Sequence, residues 1–359
     1  MLNRLSLLLL LCLSATLAHA ATPTITSFAP VRGVVGTVIT INGTDLNGAT
    51  AVAFNGVPVK AFGTNSANTL FALVPEGATT GKITVTNAKG TAISVTDFAV
   101  LFFINNPIDG AKMVWVPGGT FTMGSADGMG LDNEHPAHQV TLTDYWVYQY
   151  DVTVAQYRTF CTTTTRELPK FPSDYSWKGK TGWDDPALQQ HPIVNITWND
   201  AKAYADWAGV VLPTEAQWEY AARGPQGRNY PWGGTATKDD KCNGWDATKC
   251  VYWDNSGKVS KSTWPVGSFP AGDSWCGAQD MAGNVWQWCG DWSGAYTAAE
   301  VTNPTGPATG KYRVLRGGSW YYSGDDYYFD RSAIRHFGFG PDGYGYGIGF
   351  RCASIAPGP

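Results

Sequence analysis

Leu212-Pro213-Thr214-Glu215-Ala216-Gln217-Trp218-Glu219-Tyr220-Ala221-Ala222-Arg223-Gly224 is a helix written with both of its ends. Thr214-Glu215-Ala216-Gln217 is a Thr-x-x-Gln capping box. The threonine hydroxyl accepts from a free backbone N–H of the first turn, and the glutamine reaches back to the amide of the cap. Gly224 supplies the stop. The same box opens a second helix at Thr153-Val154-Ala155-Gln156. Thr197 is placed to cap a third, running through Ala201, Ala205 and Trp207 and ended by Gly209. Around these three short helices the chain is punctuated by Gly, Pro and Trp. Short strands are expected between them, as around Val314-Leu315, so this part of the chain reads as α+β.

Upstream the pattern is all-β. Ile25, Val38, Ile39, Ile41, Val52, Phe54, Val57, Val59, Ile83 and Val85 mark short strands, and Ile39-Thr40-Ile41 and Ile83-Thr84-Val85 alternate with period two. Asn42-Gly43, Asn47-Gly48 and Asn55-Gly56 read as turn dipeptides between them. Turns about ten residues apart are the spacing of a β-sandwich. Pro23-Thr24-Ile25-Thr26-Ser27-Phe28-Ala29-Pro30 and Gly36-Thr37-Val38-Ile39-Thr40-Ile41-Asn42-Gly43 resemble the IPT/TIG immunoglobulin-like domains. The resemblance covers residues 22–101 and implies a spacer or adhesive module. Residues 102–111, with Asn105-Asn106-Pro107, read as a linker, and residues 112–355 as the second domain.

Residues 1–20 read as a secretory signal. Arg4 precedes an apolar run centred on Leu7 to Leu11, and Ala18-His19-Ala20 is a small-x-small cleavage site. The run is shorter than the ~20 residues a membrane-spanning helix needs. Cys12 follows a leucine rather than a small residue, which argues against lipid attachment. No second apolar run follows, so a soluble mature chain without a transmembrane helix is expected, secreted, periplasmic or at the cell surface. Six cysteines remain: Cys161, Cys242, Cys250, Cys276, Cys289 and Cys352. An even number in an exported chain points to disulfides, for which six allow 15 connectivities. Cys242 with Cys250 and Cys276 with Cys289 would close short loops, leaving Cys161 for Cys352.

Charged residues are 15% of the chain, its formal net charge is −4, and no basic stripe is visible, which excludes an electrostatic footprint for nucleic acid. Aromatics are 13%, with 16 tryptophans, and this excludes a disordered chain. Of the five histidines, His135 and His138 lie three apart beside Glu134. A metal site there is the lesser expectation and a solvated loop the greater.

Five further motifs stand in order. They are Met113-Val114-Trp115-Val116-Pro117-Gly118-Gly119-Thr120-Phe121-Thr122-Met123-Gly124, the helix quoted above, Asp280-Met281-Ala282-Gly283-Asn284-Val285-Trp286-Gln287-Trp288, Arg316-Gly317-Gly318-Ser319-Trp320 and Gly349-Phe350-Arg351-Cys352. Together they resemble the formylglycine-generating enzyme (sulfatase-modifying factor) family. The resemblance implies an elaborated C-type-lectin-like fold. It also implies a site with two cysteines five positions apart that hold copper, because soft sulfur suits Cu(I). Here those positions fall on Tyr327 and Ser332, neither a soft ligand. No copper and no formylglycine-generating oxidase activity are therefore expected, and no catalytic residue is assigned. The family's calcium loop is matched by Asp280 and the carbonyls of Gly283 and Val285. Gln287 stands where the family has Glu, leaving a possible Ca²⁺ site one charge weaker.

Residues 321–347 read YYSGDDYYFDRSAIRHFGFGPDGYGYG. Six of the chain's 17 tyrosines fall in these 27 residues, which contain no Lys, Glu, Gln, Met or Trp. Tyr, Ser, Gly and Asp are the vocabulary of binding loops, where tyrosine gives broad amphipathic contact at low entropy cost. The segment resembles the variable regions of proteins diversified by retroelements. In these, randomised adenines of asparagine codons yield Tyr, Ser, Gly, Asp, Phe and His but none of the five missing residues. Tyr321, Tyr322, Ser323, Asp325, Asp326, Tyr327, Tyr328, Asp330, His336, Phe337, Phe339, Tyr344 and Tyr346 are the candidate contacts for a protein or glycan ligand. Arg331, Ser332, Ala333, Arg335, Pro341 and Asp342 are the expected scaffold between them. The alternative reading is an exported enzyme or maturation factor of the same family acting on a partner protein.

Overall fold

The computed structural model describes residues 21–172, 177, 179–180, 182–235, 244–252, 262–321 and 329–355. Two compact units divide at Val100/Leu101. The first is a sandwich of two sheets. One holds Thr24–Ala29, Val38–Thr44, Thr69–Leu73 and Phe62–Ser66 in that order. The other holds Arg32–Gly33, Gly90–Val100, Gly81–Asn87, Ala49–Phe54 and Val57–Pro58. Alternation decides what is buried: Ile39 and Ile41 from one sheet and Ile83 and Val85 from the other are fully buried, with Phe54 packed edge-on against Phe98 at 5.1 Å.

Asn55-Gly56 is a hairpin turn with both residues at positive φ, as the dipeptide predicts. Asn42-Gly43 is not a turn. It lies inside the strand Val38–Thr44, where a Cβ at residue 43 would sit 1.8 Å from the Thr24 carbonyl. Glycine is needed there for close approach of the neighbouring strand.

The second unit has few helices and many short strands, an α+β arrangement. Its helices are α1 (Val154–Thr164), α2 (Trp198–Trp207) and α3 (Glu215–Arg223). Each begins with a reciprocal capping box. In α3 the Gln217 amide donates to Thr214 Oγ1 at 3.1 Å, and the Thr214 amide donates to Gln217 Oε1 at 2.9 Å. In α2 the returning side chain is Asp200. Gly224 ends α3 at φ +68, as its position predicts.

Residues 102–111 are not a linker. Phe103–Asn105 pairs antiparallel with Lys112–Val116 in a sheet completed by Tyr145–Tyr148 and Ala353–Ser354. Asn106 is buried, donating to the Tyr148 hydroxyl and the Ala208 carbonyl. The dipeptide Asn106-Pro107 hid this, since Asn-Pro reads as a turn while the buried Asn106 amide is what anchors the segment.

The disulfides expected at Cys161–Cys352 and Cys276–Cys289 are absent. Cys161, Cys250, Cys289 and Cys352 are free and buried, and Cys276 is buried as well. The sulfurs are engaged elsewhere: the Cys161 thiol donates to the Glu167 carbonyl, and that of Cys276 to Ala221. Cys242 lies outside the described residues, as does the proposed leader.

Candidate functional site

The sheet that carries the site orders Arg335–His336, Arg313–Arg316, Trp286–Trp292 and Ile348–Gly349. Residues 329–336 are held to it by buried guanidinium groups. Arg331 makes a two-pronged pair with Glu134 at 2.7 and 3.1 Å. Arg335 grips both oxygens of Glu215 at 2.8 and 2.7 Å, and its remaining prong donates to the carbonyls of Asn133 and Gly294. Arg316 bridges Glu215 and Glu219 and also donates to the Ser332 and Ile334 carbonyls. Buried charges persist when each is paired and its other hydrogens are bonded.

Four described aromatic residues of 321–347 turn outward. Tyr321, Phe337, Tyr344 and Tyr346 are 50%, 40%, 51% and 37% exposed. Asp342, Tyr344 and Tyr346 are exposed at every second residue with glycines between them, and Asp342 is fixed by Asn199 Nδ2 at 2.7 Å. His336 and Phe339 are half-buried. Their rings, 6.2 Å apart, join Trp286, Tyr321 and Tyr346 around a cavity of about 290 Å³. Burial holds the His336 imidazole below its usual pKa. Asp330 does not belong with these contacts: it is buried, and burial raises its carboxyl well above the usual range. Gly318 makes room for it, since a Cβ there would lie 1.9 Å from Asp330 Oδ1. Tyr322, Ser323, Asp325, Asp326, Tyr327 and Tyr328 lie outside the described residues.

Known proteins align with both units. The sulfatase-modifying factor enzyme 1-like domain matches residues 103–356. The chain belongs to this family. An IPT/TIG domain matches residues 23–100. The formylglycine-generating enzyme of Streptomyces coelicolor is 36% identical over 284 residues, covering 68% of this chain and 89% of that protein. PvdO from Pseudomonas aeruginosa superposes with a TM-score of 0.55 at 25% identity, over 70% of this chain and 97% of the other. Treponema denticola variable protein 1 shares the fold with a TM-score of 0.53 at 21% identity, over 71% and 98%.

Ser332 is fully buried and its amide donates to the Asn229 carbonyl. The calcium loop is differently committed. Gln287 Oε1 accepts from Trp218 Nε1 at 2.6 Å and Arg351 Nε at 2.7 Å, and Gln287 Nε2 donates to the Asp280 carbonyl. The Asp280 side chain accepts from the Gly267 amide. Ca²⁺ takes six to eight oxygens. Here Gln287 Oε1 is committed to two donors, Asp280 Oδ2 accepts from the Gly267 amide, and the Arg351 guanidinium donates to the Asp280 carbonyl at 3.1 Å. With Gly283 and Val285 as the other donors, the set does not fit Ca²⁺. The loop is instead closed by hydrogen bonds, and Gly283 lets it pass the Val251 carbonyl, 2.1 Å from where a Cβ would sit.

His135 and His138 do not converge on a metal. His135 Nε2 donates to the Met129 carbonyl at 2.6 Å and His138 Nδ1 to that of Pro136 at 3.1 Å. Among the described residues no His, Cys, Asp and Glu cluster could hold an ion. Two features were not foreseen. Trp286 forms a wall of the cavity, although its motif was singled out only as a calcium loop. Asp291 lines a second cavity of about 640 Å³, and burial together with the Glu215 charge raises its carboxyl to about 7. A lone Asp-Trp dipeptide carries no sign of that.

Proposed function

We propose that this chain is an exported, non-catalytic binding protein whose second unit displays residues 321–347 as its ligand surface. The observation that carries the reading is how exposure divides that segment. Arg331, Ser332, Ala333 and Arg335 are inside, while Tyr321, Phe337, Tyr344 and Tyr346 are outside. A core would bury the tyrosines, and an idle surface has no reason to concentrate them. The ligand is a protein or a glycan, and the immunoglobulin-like unit serves as a spacer. A fold shared with a protein named for its variability supports the reading that the exposed positions are diversified. Export rests on Arg4, the apolar run and Ala18-His19-Ala20.

Replacing Tyr321, Tyr344 and Tyr346 together by Ala is expected to leave the thermal midpoint of the purified chain unchanged while ligand binding is lost. A collapse of the midpoint would make them core residues and overturn the reading. Sequencing the surrounding DNA tests the diversification itself. A neighbouring reverse transcriptase and a near-copy of the 3′ end with adenines at the Tyr, Gly, Ser and Asp codons are expected. Their absence would remove diversification from the account.

A further inference from the structure

The cavity on the display face has a make-up that selects its occupant. Its walls are the rings of Trp286, Tyr321, His336, Phe339 and Tyr346, and Leu315 and Ile348 add aliphatic surface. Among the described residues no Asp, Glu, Lys or Arg lines it. Burial disfavours the protonated form of His336, so the lining is neutral at pH 7. About 290 Å³ lies at the bottom of the range for small-molecule pockets and suits a single side chain rather than a whole drug-sized ligand. His336 lines the cavity, and its Nδ1 is a buried polar atom without a hydrogen-bond partner. A buried polar atom without a partner costs stability and is satisfied by an incoming donor.

Resting on the reading of this face as a binding surface, we propose that the cavity captures one tyrosine side chain of a protein ligand. Its ring would lie among the aromatic walls and its hydroxyl would donate to His336 Nδ1. A sugar ring is the poorer occupant. It carries several hydroxyls, and apart from His336 the lining offers only the Ser319 and tyrosine hydroxyls, so most of the sugar's would be stripped of water without partners. A buried aromatic anchor in a fitted pocket is also how protein interfaces concentrate their binding energy. Glycines keep the hole open. Gly345 and Gly347 line it, and at Gly345 the nearest neighbour to an added Cβ is Ile348 Cδ1 at 3.3 Å, a side-chain end that can give.

The test titrates N-acetyl-tyrosinamide, N-acetyl-phenylalaninamide, N-acetyl-alaninamide and methyl α-glucoside into the full ¹⁵N-labelled chain, following the Gly345 and Gly347 amides. Saturable shifts with the tyrosine amide are expected, about tenfold weaker with the phenylalanine amide, the weight of one neutral hydrogen bond. None is expected with the alanine amide or the sugar. His336→Phe should erase the tyrosine preference while keeping phenylalanine binding. Gly345→Leu should fill the hole and abolish both, with an unchanged melting temperature; if that variant fails to fold, the His336→Phe comparison decides alone. Saturation by methyl α-glucoside, equal affinity for tyrosine and phenylalanine amides, or no saturable shift at all would overturn the inference. Each of these results would leave the outer surface standing as a binding face, because Tyr344 and Phe337 lie outside the cavity.

Discussion

Glu215 receives two guanidinium groups, Arg316 and Arg335, at the first turn of α3, where a negative charge also meets the helix dipole. Glu134 and Arg331 form a more isolated pair, both almost wholly buried. Breaking such a pair from one side strands the other charge, so Glu134→Ala is expected to cost about 3–5 kcal/mol in a urea titration. Asp291 acts in the opposite sense. Its folded carboxyl titrates at about 7, above the unfolded value of about 3.9, so the folded state binds the extra proton between those limits. Stability therefore falls as pH rises from about 4 to 7. Asp291→Asn is expected to match the parent near pH 4 and to gain on it by up to about 1.4 kcal/mol per pH unit towards 7, read from thermal midpoints. None of these weights is visible in the sequence. Glu215 and Glu219 look there like ordinary solvated residues of an amphipathic helix, because their partners lie about a hundred positions away.

Elements were the most legible layer. Two capping boxes and the Thr197 cap announce α1, α3 and α2, since cap and return lie three residues apart and need no tertiary information. Thr214→Ala should cost about 1 kcal/mol, measurable as a lowered denaturant midpoint. Strands of two residues, such as Arg335–His336 and Ile348–Gly349, leave no periodicity to read. Asn42-Gly43 misled because two physical demands select the same glycine: positive φ in a turn and absence of a Cβ beside a neighbouring carbonyl. Only the second applies there. Gly283→Ala, confronting both φ +73 and the Val251 carbonyl, should destabilise more than any exposed tyrosine variant.

For the whole molecule, each unit encloses its own core, and residues 101–355 expressed alone are expected to melt cooperatively. Both folds could be read from motifs in order. The cysteine chemistry could not, because an even count says nothing about where each sulfur points. Denatured without reductant, the full chain should show at least the four thiols of Cys161, Cys250, Cys289 and Cys352 to a thiol reagent. Finding fewer would mean that bridges form.

The inward arginines of the display segment have one more consequence. Glu134 and Glu215 hold Arg331 and Arg335 from elements far away in the chain, so the buried anchoring of the segment runs through side chains other than the exposed Phe337, Tyr344 and Tyr346. Positions 337, 344 and 346 are therefore expected to accept randomisation as a combinatorial library on one invariant framework. The second unit is in that sense a ready scaffold for affinity reagents, with its mutable alphabet already separated from its grammar.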